Sequence, residues 1–155
     1  MKKFLVFLGI LFLVSNCKSK KIAISDTENR MIEVSPNEVE TFKKDRAYAL
    51  GYRLLDACNT SKFKPYTKEE ATDQVIRNAT LSRISETCRK INFRNGRFLG
   101  LQLTTISFNK NSKEYLFKYA IEYEKKYFKR ELTVVIDDDN KVSAIYTKEQ
   151  KPKPM

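Results

Sequence analysis

The chain has 155 residues, with 30 Lys and Arg against 19 Asp and Glu, a net charge of +11, and neither histidine nor tryptophan. Without histidine there is no ordinary neutral-pH acid–base side chain, no Ser-His or Cys-His nucleophile system, and none of the commonest zinc ligand. The length suits one domain with one core. The basic excess is spread over 18–21, 43–46, 89–97, 125–130 and 148–153 with acids interspersed, a pattern that favours weak attraction to polyanions or acidic headgroups and composes no nucleic-acid site.

The chain starts with Lys2 and Lys3, an apolar run over 4–14, then Ser15, Asn16 and Cys17. That is a basic region, an apolar region and a small-residue approach to a cleavage point. An eleven-residue helix would be about 16 Å long, roughly half the hydrocarbon core of a bilayer, so no permanent transmembrane helix is expected. Leu13-Val14-Ser15-Asn16-Cys17 resembles the lipobox of bacterial lipoproteins. The resemblance implies a signal peptide over 1–16, acylation of Cys17 (palmitate), and attachment to membrane lipid at the cell envelope. No Asp follows Cys17 within 18–21, which favours the outer over the inner membrane. The alternative is an ordinary signal peptide with Cys17 as a free or paired thiol. In an oxidising compartment the other two cysteines, Cys58 and Cys88, read first as a disulfide closing a loop of roughly 31 residues, worth about 3.7 kcal/mol. The competing reading is two buried thiols packed as small hydrophobes.

Residues 17–34 read as a polar tether. Ser35-Pro36-Asn37-Glu38 has a hydroxyl cap, proline at the first helical position and glutamate at the third, so a helix is predicted from Ser35. Val39, Phe42, Ala49, Leu50, Leu54 and Ala57 give it an apolar stripe, and it fades near Cys58 and Asn59. Thr67-Lys68-Glu69-Glu70 repeats the capping pattern. The helical reading from Thr67 to Ile91 loosens at Asn78-Ala79-Thr80. It fits one kinked helix or two short ones, with two favoured because Asn and Thr compete for local backbone bonds. Asn95-Gly96 is a turn. Strands are predicted over 97–108, with Leu99, Leu101 and Leu103 on one face, then 114–127, 129–136 and 141–147. Tyr115, Phe117, Tyr119, Ile121 and Tyr123 share one face of the second. The tail over 148–155 is expected to fray.

This order predicts an α+β domain over 35–147, with two or three N-terminal helices packed on one face of a curved four-stranded antiparallel sheet. Helices followed by long antiparallel strands resemble the NTF2-like or cystatin-like α+β superfamily, which includes enzymes, pocket-bearing binding domains and assembly domains. The fold chooses none of these functions.

The residues offer little chemistry. Asp137, Asp138, Asp139 and Asn140 lack the spacing, glycine and terminal glutamate of a calcium loop and read as a solvated hairpin turn. Glu122 and Glu124 share a strand face, but Lys118, Lys125 and Lys126 stand nearby and charge pairing is the expected role. Tyr115, Phe117, Tyr119 and Tyr123 form either a pocket with polar tips and apolar walls or, by preference, a core whose hydroxyls reach an acceptor. Tyr48, Tyr52 and Arg53 read as a partner patch. No catalytic residue, metal or cofactor is expected. The functional expectation is a non-enzymatic, membrane-anchored envelope protein that binds a protein or an anionic envelope component, with no nucleic-acid partner. The alternatives are a small-molecule or peptide-binding pocket domain, and an envelope-located immunity or defence protein.

Overall fold

The computed structural model describes residues 31–150. The predicted leader, Cys17 and most of the tether lie outside the described residues. Among the described residues, no helix is long and apolar enough to cross a membrane.

The chain runs β1 (Met31–Glu33), a 3-10 turn (Pro36–Glu38), α1 (Thr41–Thr60), α2 (Asp73–Asn78), α3 (Leu81–Asn95), β2 (Phe98–Asn109), β3 (Glu114–Tyr123), β4 (Arg130–Ile136) and β5 (Val142–Glu149). All five strands form one antiparallel sheet in the order β1-β2-β3-β4-β5. The expected curved four-stranded sheet is therefore corrected to an open, flat sheet of five strands beside three helices. The fifth strand comes from Met31–Glu33, which pairs with Ser107, Phe108 and Asn109. Three residues are too few for alternation to show in a sequence. The cover is mainly one 20-residue helix, a rod of about 30 Å, which a flat sheet accepts without curling. The likeness to NTF2-like or cystatin-like proteins falls with the curvature.

Two helix starts also shift, each because an apolar residue must enter the core. The Ser35 box forms, with Glu38 accepting from the Ser35 N–H at 3.0 Å, but it caps only the 3-10 turn. Val39 is extended and 4% exposed, and its burial ends the turn before α1 begins. Likewise Thr67 and Glu70 close a capped turn, with the Thr67 N–H donating to Glu70 at 3.0 Å. Ala71, 1% exposed, then leaves helical geometry to pair in parallel with Val142 of β5. The region over 67–91 does contain two helices, separated at Ala79 and Thr80.

The inner sheet face holds the core. Phe117, Leu132, Val134, Ile136 and Val142 are fully buried, each contributing about 1.5–3 kcal/mol. Irregularities between Phe98 and Gly100 and between Leu103 and Thr105 change the phase of β2. Phe98 and Ile106 thereby face inward and Leu99 is 58% exposed, so the predicted Leu99-Leu101-Leu103 face does not hold as a unit. α1 crosses β4 closely at Gly51, where an added Cβ would lie 2.7 Å from Leu132 Cδ2 and 3.3 Å from Val134 Cγ2.

Gly51→Val is expected to cost about 1–3 kcal/mol through overpacking at this crossing. Chemical denaturation would check it, and an unchanged midpoint would mean that the helix has room to lift.

Candidate functional site

Cys58 near the end of α1 and Cys88 in the middle of α3 form a disulfide, with Cα atoms 4.9 Å apart. The Asn92 side-chain amide donates to the Cys58 carbonyl at 2.8 Å, and the Asn59 amide bonds both the N–H and the C=O of Phe98 at 3.0 and 2.8 Å. These contacts fix α3 against α1 and the start of β2 against the end of α1. Thr80 caps α3, and Arg83 donates to the Asn78 side chain at 2.7 Å across the α2–α3 corner.

Fixed in this way, α3 and the short α2 stand opposite β5 and leave a cavity of about 330 Å³ between them. Leu54, Leu55 and Cys58 of α1 form its back. Val75, Ala79, Ile84, Cys88 and Ile91 supply apolar walls, and residues 143–147 of β5 close the other side. Gln74, Asn78, Arg83, Thr87 and Tyr146 bring polar groups to it. No carboxylate lines it. The volume is at the lower end of the roughly 300–1,000 Å³ range of small-ligand sites, and apolar walls with a few polar groups are their usual make-up.

The predicted tyrosine row lies elsewhere and packs as core. Phe117, Tyr119 and Tyr123 are 0%, 2% and 6% exposed. Tyr119 meets Tyr48 edge-on with centroids 6.2 Å apart, and the Lys43 ammonium sits 5.7 Å from the centre of the Tyr115 ring. Burial raises the pKa of Tyr119 well above the ordinary phenol range and that of Tyr123 to about 12, so both stay neutral. The Tyr123 hydroxyl is buried without a hydrogen-bond partner among the described residues.

The predicted partner patch splits. Tyr48 and Tyr52 stack 5.9 Å apart and are 44% and 38% exposed. Arg53 turns away to grip Glu70 with two bonds of 2.7 and 2.9 Å, 5.6 Å from the Tyr66 ring centre. The Glu70 hydrogen bond holds the guanidinium pKa up, and Arg53 in turn holds the Glu70 carboxyl below its ordinary range. Arg53 thus joins α1 to the turn before α2.

Glu124 is also used internally, accepting from the Arg97 N–H at 2.9 Å, while Glu122 stays exposed. In the turn after β4, Asn140 takes a left-handed φ of 62°, the position that would suit glycine, and the Asp137 carboxylate accepts from the Lys141 N–H at 2.8 Å. Among the described residues no cluster of His, Cys, Asp or Glu could hold a metal ion.

No protein-family model, no curated protein and no solved structure matches the chain. The likeness to bacterial lipoproteins, with its lipid-anchor and signal-peptide implications, gains no support from these comparisons and is withdrawn together with the NTF2-like one.

The sequence reading places a helix up to Ile91 and a strand over 141–147, but not the cavity between them. Its existence depends on how far α3 stands from β5, which no local pattern encodes. Reduction of the disulfide is expected to lower stability by about 2–4 kcal/mol. Thermal unfolding with and without reductant checks this, and equal midpoints would show that α3 is held by packing alone.

Proposed function

We propose that this chain is a non-enzymatic binding domain that works at the cell envelope, and that it recognises a protein or envelope component by taking an apolar group into the cavity beside the disulfide. The observation that carries the reading is that cavity, with walls of aliphatic side chains and cystine, polar groups beside them, and no carboxylate. Apolar walls reward the transfer of an aliphatic or aromatic group from water at about 25 cal/mol per Å² buried. Arg83 and the amides of Gln74 and Asn78 suit a polar or anionic end on the same ligand. A disulfide is at home in an oxidising compartment, which supports export.

Anilinonaphthalene sulfonate joins an aromatic body to an anionic group and is the probe of choice. The native chain is expected to bind it with enhanced fluorescence. Ala79→Phe, which fills the α2–α3 corner of the cavity, is expected to lose at least about tenfold in affinity. Ala144→Leu narrows the β5 side and provides a second variant should the first unfold. Equal uptake by the native chain and both folded variants would show that the probe binds elsewhere and would remove the cavity from the function.

A further inference from the structure

The end of the domain at the β3–β4 connection carries a second feature that the cavity does not explain. Phe93 in the last turn of α3 is 83% exposed and Tyr127 in the β3–β4 connection is 87% exposed, with Phe128 at 37% beside them. The three rings border one shallow hollow together with Lys90, Arg94 and Lys125. Exposed apolar groups gathered in one place mark an interaction surface more often than scattered ones do.

The backbone beneath these rings is pinned. The Asn95 amide, 1% exposed as a residue, donates to the Phe128 carbonyl at 2.9 Å, and the Lys125 N–H donates to the Asn95 carbonyl at 2.9 Å. The Lys125 ammonium donates to the Phe93 carbonyl at 3.1 Å, and the Arg94 guanidinium lies 4.1 Å from the centre of the Phe128 ring. The projecting rings therefore stand on a built platform. Lys126, Lys129 and Arg97 are exposed close by in sequence. Three nearby acids are already engaged: Glu86 by Lys90, Glu124 by the Arg97 N–H, and Glu149 by Arg94 and Arg130.

We propose that this platform docks on an anionic lipid surface, with Phe93 and Tyr127 entering the headgroup region and the lysines around them meeting lipid phosphates. Aromatic rings favour the depth where apolar and polar regions meet, and basic groups are drawn to anionic headgroups. A bilayer accepts two projecting rings without shaped pockets, whereas a protein partner must supply one for each. The proposal rests on the envelope reading only for a membrane being within reach, and it does not involve the cavity.

The test is partition of the full chain onto vesicles of phosphatidylcholine alone and of phosphatidylcholine mixed with phosphatidylglycerol. Every variant keeps residues 1–16, so differences between variants report the platform. The native chain is expected to prefer the anionic vesicles, with the preference falling as salt rises. Phe93→Ser with Tyr127→Ser, and separately Lys126→Glu with Lys129→Glu, are each expected to lower partition onto anionic vesicles about tenfold. All four positions are solvent-exposed, and unchanged melting would confirm that the variants fold. Ala79→Phe is expected to partition like the native chain, which separates failure of this proposal from failure of the cavity reading. Partition unchanged by the ring pair, or ring-dependent binding to soluble polyglutamate without vesicle binding, would overturn the proposal.

Discussion

The covalent tie between α1 and α3 sets the position of the helix that faces β5 across the cavity. α1 packs on the sheet, with Gly51 against Leu132 and Val134. α3 packs on α1 and is joined to it through Cys58 and Cys88, with Asn92 bonded to the Cys58 carbonyl. With α3 fixed in this way, the space between its Ile84-Cys88-Ile91 face and β5 stays open. A helix free to slide would close onto the strand and gain the contacts that the gap forgoes, since interiors favour close packing. The disulfide thus acts through packing, by keeping a hollow that packing alone would tend to fill.

A second set of contacts holds the short elements around that hollow. Arg53 on α1 clamps Glu70, Ala71 pairs with Val142, and the Val142 N–H and C=O are bonded to Glu70 and Thr72. The segment entering α2 is therefore fastened both to α1 and to the free edge of the sheet. Part of an exposed edge is covered in this way, which also limits pairing with other chains. Arg46 extends the arrangement by donating to the carbonyls of Glu69 and Asn140, joining α1 to the turns on either side of that bridge. Polar side chains read from the sequence as a surface patch are thus partly structural.

Strongly periodic segments were legible in the sequence, and long-range geometry was not. The inward face of β3, with Phe117 and Tyr119, follows from alternation, and the split of the 67–91 region follows from Asn78 and Thr80. The disulfide followed from an even cysteine pair and the expected compartment. β1 is not legible because three residues carry no period, and the phase of β2 is not legible because its bulges are set by pairing with β3. Capping boxes at Ser35 and Thr67 formed as chemistry but introduced turns, since burial of Val39 and Ala71 outweighs local helix propensity. The basic clusters at 89–97 and 125–130 were visible, but only the fold brings Phe93 and Tyr127 together between them.

The molecule that results separates two kinds of surface. One side offers a hollow of about 330 Å³ walled by aliphatic groups and cystine. Another end presents rings and cations on a fixed platform. The central claim is that the hollow takes up an apolar group. Methyl NMR of the native chain during titration with decanoic acid tests it most directly. The account expects shifts at Val75, Ile84, Ile91 and Ile145, with the methyls of Ile106 and Val134 unmoved. Saturating decanoate with no change at those four residues, or with changes centred on Ile106 and Val134, would contradict it.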